Sequence, residues 1–583
     1  MGTISDKLMR IINTKEDIRQ ALISKGYDVP TSIPFKEYAK MILDLPCKAD
    51  SFPDIEGIVA RYYASGLTNE QMAANPVWVD KTGNGHDLQM KNFAWGGMSG
   101  VGGYTENYDS NKWYKVTSRI DVTWTYKSFN VKSIKANNLA QLFYQSLSSD
   151  TGFRVLSCTI KVSGLTDGQG IEYVSNGTQQ FVIMRIENDG IYHLPSFDFG
   201  AKNAYYGFRF LKLQESCNIT IEQLPLYPGA LVFDGVDDYG VCENFPILTK
   251  EKGYTVVALR QWDQDFLNTT LTGGLLSTRN YSTGEGVAFE KIESSNKGYW
   301  NLGAGGIIDF AKSPFTWQTS KQYNNVGILK GDKNHGKPLC VGCGLSGGQQ
   351  CGRFAIWELV FLDHDATEEE LTKIKDYFVK TYPWLFPDQA WTVVGKTNED
   401  EDRATIANIT GNGNDLVCLN LGFIEGSGYN EEGEYAGYLV TDGVDDKITS
   451  STFEMGNDWT VIGDWEFINT GKNDNAGIVK FNSIVIYNYN PILINIKNGR
   501  NNLIPDQNTV NAICSDGRIY SKDWKESIYN EETESTSKNF LTIGYSGNVY
   551  TKIAFKNLAI YPTVLSREDC IKAYNYLQTL KSK

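Results

Sequence analysis

From about residue 55 onward, apolar and polar residues alternate at a period of two, broken at short intervals by Gly, Asn, Asp and Ser. YTVVALRQW (Tyr254 to Trp262) and WTVIGDWEF (Trp459 to Phe467) show the pattern clearly. It predicts strands with faces on a packed sheet. Residues 1–46 differ. Ile4, Leu8, Ile11, Ile12, Ile18 and Leu22 recur at helical spacing. Asn13 or Thr14, with Glu16 and Asp17 behind, can cap a second helix that ends near Gly26. Pro34 opens a third, FKEYAKMILDL, and Pro46 closes it. Three such helices bury little alone. They are expected either to dock on a partner or sister chains, or to fold back as a cap on the following domain.

Within the β-rich region a single stretch occurs twice. LVFDGVDDYGV (Leu231 to Val241) returns as YLVTDGVDDKI (Tyr438 to Ile448). Each is an apolar strand entering a tight turn, where Gly235 and Gly443 are free to take positive φ. The flanking blocks repeat in the same order. VDKTGNGHDLQMKNFAW (Val79 to Trp95) matches IANITGNGNDLVCLNLGF (Ile406 to Phe423). FAIWELVFLDHDATEEELTKIKDYF (Phe354 to Phe378) matches IAFKNLAIYPTVLSREDCIKAYNYL (Ile553 to Leu577) without a gap. Thr367 meets Ser566, Glu370 meets Asp569, and Tyr377 meets Tyr576. One module is therefore used twice. Each copy ends in a helix, Thr367 to about Lys380 and Ser566 to about Leu580, the first opened by a Thr-x-x-Glu capping box.

The GNG block and the Asp-Gly-Val-Asp-Asp turn lie about 150 residues apart in the first module, against about 30 in the second. The first module is thus expected at 55–105 and 229–385, split by an insertion at 106–228, and the second at 388–583. DVTWTYKSF, RVLSCTIKVSGL, FVIMRIE, YYGFRFLKL and NITIEQLPL make the insertion a β-sandwich in expectation. The fold class is mainly β: tandem sandwiches, one with an inserted β-sandwich, plus a short N-terminal α-helical segment.

Composition supports this and excludes some partners. A chain of 583 residues has room for roughly three to five domains. Its 56 Gly and 33 Tyr against 8 Met suit many strands and turns. A formal charge of −14 with no basic stripe argues against nucleic acid. No apolar run reaches the roughly 18–20 residues of a membrane span, so membrane insertion is not expected. The opening MGTISDKLMRIINTKEDIRQ is amphipathic and unlike a secretory leader, which places synthesis in a cytoplasm.

Candidate chemistry is sparse. Among 10 cysteines, Cys340, Cys343 and Cys351 lie near His335 at zinc-like spacing. The sister module has Thr542 and Tyr545 opposite Cys340 and Cys343, and Cys570 falls opposite Leu371, so packing is the preferred reading. No E-x-D-x-E glycosidase string occurs. The 4 histidines carry no triad motif, and His86 and His364 fall opposite Asn414 and Thr563. The expectation is a chain that is not an enzyme, with no catalytic residues and no cofactor. Asp234, Asp237, Asp238, Asp442, Asp445 and Asp446 offer hard oxygens of the kind calcium takes. Asx bonds capping the turns are preferred over calcium there. Trp95, Trp113, Trp124, Trp300, Trp357 and Trp465 are candidates for stacking on sugars, although aromatics in alternating strands are mostly core.

The order GNG-x-DL, FDGVDDY, a "TV" strand and a final G-x-[IVFA]-x-x-[LI] strand resembles the concanavalin A-like (laminin G-type) jelly roll over about two thirds of the chain. That resemblance implies a fold that hosts lectins, adhesins, enzyme accessory domains and spacers alike. The block TISDKLMRIINTKEDIRQALISKGYDVPTSIPFKEYAKMI is similar to a leader on virion proteins of tailed bacteriophages, possible relatives including the crAss-like group. Together they imply a structural and adhesive virion protein, an appendage of tail- or head-fibre type. Its N-terminus would attach to other virion proteins or to sister chains in a homo-oligomer, and its β-domains would bind host-surface glycan. A purely structural virion protein and a glycan depolymerase are the alternatives.

Overall fold

A computed structural model describes Lys15 and, between 52 and 582, all residues except 109–111, 146–153, 177–179, 196, 199–204, 249–251, 279–287, 292–296, 301–306, 310–313, 320–337, 346–347, 432–434, 469–476, 482–483, 488–491, 497–499, 505–509, 529–540 and 547–548. The expected N-terminal helices lie outside the described residues, apart from Lys15, which is helical.

Strand patterning produces a mainly β protein of stacked antiparallel sheets. In the first module one sheet runs Phe315–Thr319, Thr255–Trp262, Arg353–Leu362, Leu231–Asp234, Gly100–Val101, with Ile58–Tyr63 also on Arg353–Leu362. The facing sheet contains Leu88–Lys91, Tyr239–Cys242, Leu339–Val341 and Gly273–Ser277 in that order. Alternation sends Phe233, Phe354, Ile356 and Trp262 from one sheet, and Leu88, Met90, Leu276 and Val341 from the other, into a shared core.

The second module repeats the order of the central strands in both sheets. Its large sheet runs Gly428–Tyr429, Leu439–Val440, Ile553–Tyr561, Thr460–Phe467, Val510–Cys514, with Gln389–Thr392 also on Ile553–Tyr561. The facing sheet is Thr405–Ile406, Leu416–Leu419, Lys447–Ser450, Thr542–Ile543. Trp391, Leu416, Ile448, Phe467 and Phe555 fill the space between. Even the irregularities recur: the register slips at Leu259/Arg260 in one module and at Asp464/Trp465 in the other.

Between Tyr104 and Pro225 two five-stranded antiparallel sheets close over a separate core that includes Trp113, Phe129, Ile160, Phe208 and Ile219. The chain enters and leaves this sandwich side by side. Leu226 N donates to Gly103 O at 3.0 Å and Tyr227 N to Gly102 O at 2.8 Å. Adjacent ends let an insertion extend a surface turn without pulling the parent sheet apart.

The helices Glu368–Thr381 and Arg567–Leu577 follow the last strand of each module. Thr367 accepts from the Glu370 amide at 3.2 Å while Glu370 accepts from the Thr367 amide at 2.8 Å, the reciprocal cap expected from the sequence. Ser566 caps the second helix by accepting from the Asp569 amide at 3.1 Å. Both helices pack into one seam with Trp357, Phe378 and Leu385 on one side and Ile462, Tyr561 and Tyr574 on the other. Among the described residues no helix is long and apolar enough to cross a membrane.

Candidate functional site

Each Asp-Gly-Val-Asp-Asp turn is built by its own carboxylates. Asp234 Oδ1 accepts from the Val236 amide at 2.7 Å, and Asp442 Oδ1 from the Val444 amide at 2.7 Å. Asp238 Oδ2 accepts from the Asp234 amide at 3.0 Å and Asp446 Oδ2 from the Asp442 amide at 2.8 Å. Gly235 and Gly443 take φ of +76° and +78°, the region the sequence requires of them. Their tips expose Val236 and Val444, each about 70% accessible, to solvent.

A second loop is fastened to each turn. It follows the strand Leu88–Lys91 in one module and Leu416–Leu419 in the other. Asn92 and Asn420, both at φ 67°, donate their side-chain amides to the Asp237 and Asp445 carbonyls at 3.1 and 3.0 Å. Ser99 Oγ donates to Asp238 at 3.0 Å and accepts from the Ala94 amide at 2.8 Å. Ser427 Oγ does the same with Asp446 and the Gly422 amide, at 2.7 and 2.8 Å. Trp95 and Phe423 sit in this loop at φ 52°, an unusual conformation for a bulky side chain. Trp95 stacks on Phe93 with centroids 4.7 Å apart, and Arg403 lies 5.2 Å over Phe423. Both rings are half-buried and pack against the cores of their modules.

The electrostatics follow from burial. Asp238 is pushed up to about 7 by burial and by the neighbouring Asp234 charge, despite its hydrogen bonds. Asp446 is also raised, mainly by burial. Within each trio one carboxylate oxygen per residue lies within 4.8 Å of the others, and these two trios are the only such groups of three among the described residues. Asp234, Asp237 and Asp238, or Asp442, Asp445 and Asp446, are the residues that would hold a cation. Asp446 differs from Asp238 in one respect: both its hydrogen bonds fall on Oδ2, leaving Oδ1 buried without a partner.

Other candidates are dispersed. Trp113, Trp357 and Trp465 are core residues, Trp124 is half-buried, and the Trp300 side chain lies outside the described residues, as does His335. Cys340, Cys343 and Cys351 are buried together and packed against Tyr239 and Val241. His193 is held neutral, pushed down to about 3 chiefly by burial. His364 is tied to Glu370 at 3.2 Å. Of the fastened loops, Trp95 was a sequence candidate, whereas Phe423 and the fastening residues Asn92, Ser99, Asn420 and Ser427 were not. Their signal was the matched Asn92/Asn420 and Trp95/Phe423 pairs inside the repeated GNG blocks.

No family model and no curated protein matches the chain. Solved structures match at low similarity. Trypanosoma rangeli sialidase in complex with sialic acid is 8% identical over 78% of this chain and 83% of its own, with a TM-score of 0.24. A mutant of that sialidase displaying trans-sialidase activity is 8% identical over 82% and 98%, with a TM-score of 0.25. The receptor binding domain of botulinum neurotoxin C/D mosaic serotype is 11% identical over 58% and 88%, with a TM-score of 0.23. These matches correct one expectation. The sequence shows no catalytic constellation, but solved structures matching most of the chain are enzymes, and the expectation of a chain that is not an enzyme is withdrawn. Likeness at this level does not assign a sialidase activity to this chain.

Proposed function

We propose that this chain is a structural and adhesive component of a bacteriophage particle, attached through residues 1–46 and turned outward through its β-domains to bind host-surface glycan. The observation that carries the reading is duplication of the fastened loop. Two modules hold a half-buried aromatic in the same strained backbone conformation, beside a solvent-facing turn. An aromatic fixed before binding loses little entropy when a sugar ring stacks on it. Two such positions on one chain add avidity where the glycan is polymeric. The N-terminal resemblance to virion leaders supports the particle assignment.

The test is binding of the full chain to host cells with and without their capsular polysaccharide. Capsule-dependent binding is expected. Absence of binding in both cases would replace adhesion with a purely structural role among virion proteins. Release of reducing ends, measured in the same incubation, decides whether binding is accompanied by cleavage.

A further inference from the structure

Both modules fasten the start of their last helix with the same latch. Thr255 Oγ1 donates to the His364 carbonyl at 2.9 Å and accepts from the Ala366 amide at 2.8 Å. Thr460 Oγ1 does likewise with the Thr563 carbonyl and the Leu565 amide, at 2.8 and 2.9 Å. In the first module Thr319 stands opposite Thr255 in register, and Leu371 is the fourth residue after the helix cap. In the second, Cys514 stands opposite Thr460 and Cys570 takes the leucine's place. The latch therefore forms without thiols, and the second module alone has a pair.

The pair is closely placed. Cys514 and Cys570 are both fully buried, and their thiols are hydrogen-bonded to each other. Thr460 Oγ1 lies 3.7 Å from Cys514 Sγ, and Cys570 Sγ lies 4.0 Å from the Leu565 carbonyl. Arg518 donates to that same carbonyl at 3.1 Å. We propose that Cys514 and Cys570 are a disulfide-forming pair, which a disulfide oxidant such as oxidised glutathione closes to staple the C-terminal helix onto the Val510–Cys514 strand.

The electrons balance as an exchange. The Cys514 thiolate attacks one glutathione sulfur, and glutathione thiolate leaves. Cys570 then gives up its proton and attacks the Cys514 sulfur, releasing the second glutathione. Two protein thiols are oxidised and one glutathione disulfide is reduced to two thiols. The order follows from the environment: the hydrogen bond from Cys570, with Thr460 and Arg518, holds Cys514 below the ordinary thiol range against its burial, while Cys570 is pushed up.

The full chain is incubated with oxidised glutathione a few degrees below its melting transition, blocked with iodoacetamide, digested, and mapped with and without reductant. A cross-linked peptide pair carrying Cys514 and Cys570 is expected, two hydrogens lighter than the separate peptides, together with a melting temperature raised by about 5 °C. C570L, which installs the residue of the sister module, is expected to lose both effects. Recovery of both cysteines singly alkylated, capture of Cys514 only as a glutathione adduct, or a melting shift that survives C570L would overturn the proposal.

Discussion

Tyr576, near the end of the C-terminal helix, donates its hydroxyl to the Gln261 side-chain oxygen at 3.2 Å, joining residues 315 positions apart. Both groups are buried in the seam between modules. Its counterpart Tyr377 receives a hydrogen bond from Arg61 of its own module at 3.0 Å. Equivalent positions thus serve one module internally and the other as a tie across the seam. Y576F is expected to destabilise by about 1–3 kcal/mol, because Gln261 keeps a buried oxygen with no donor. Thermal scanning checks this, and Y377F, which leaves Arg61 paired with Glu358, should cost less.

Stability should fall as pH rises through neutrality. Within the inserted sandwich, Glu106 accepts the Tyr206 hydroxyl at 2.9 Å, and burial of its carboxylate pushes it up to about 7 from an ordinary 4.5. Asp238 is raised to about 7 from 3.8. A carboxyl raised in the folded state binds its proton more tightly there. Its contribution is therefore complete below the unfolded value and lost as pH climbs through the folded one. Melting temperature recorded from pH 4 to pH 8 should decline, and E106Q should flatten part of the slope. A profile unchanged by E106Q would sink the assignment to Glu106.

The two turn glycines should be equally intolerant. A Cβ on Gly235 would lie 2.8 Å from Arg353 Cβ, and one on Gly443 would lie 2.9 Å from the Lys552 amide nitrogen. Both positions also have positive φ. G235A and G443A are each expected to cost more than about 1 kcal/mol in chemical denaturation.

Calcium is expected to leave the melting temperature unchanged relative to chelator, because the turn carboxylates are already engaged with the backbone amides that shape the turns. A calcium-dependent rise lost in D446N would instead assign the second turn as a cation site.

If the fastened loops contact glycan, W95A should weaken capsule-dependent binding about tenfold, equivalent to about 1.4 kcal/mol. W95A combined with F423A should weaken it further through lost avidity. Unchanged binding by a variant with wild-type circular dichroism would move the contact elsewhere.

Much of the architecture is legible in local pattern. Period-two alternation marks Thr255–Trp262 and Thr460–Phe467 as strands, and the Thr367/Glu370 spacing marks a helix start, because those signals act between near neighbours. Repetition supplied the rest: two sequences that fold independently to one plan must repeat its turns and caps. The aspartates' capping role was legible for the same reason, since Asp234 to Val236 is a contact two residues long.

What the sequence by itself determined, then, is the mainly β class, the duplicated module, the inserted sandwich and the rigid turns. Tertiary structure alone decided which aromatics stay only half-buried. Trp357 and Trp95 look alike in an alternating string, yet one is sealed in the seam and the other is half-exposed in a left-handed loop. It also decided that Ser99 meets Asp238, that Cys514 meets Cys570, and that Tyr576 reaches Gln261. Those contacts join segments up to hundreds of residues apart, and their pairing depends on strand register and sheet packing, which no local periodicity encodes.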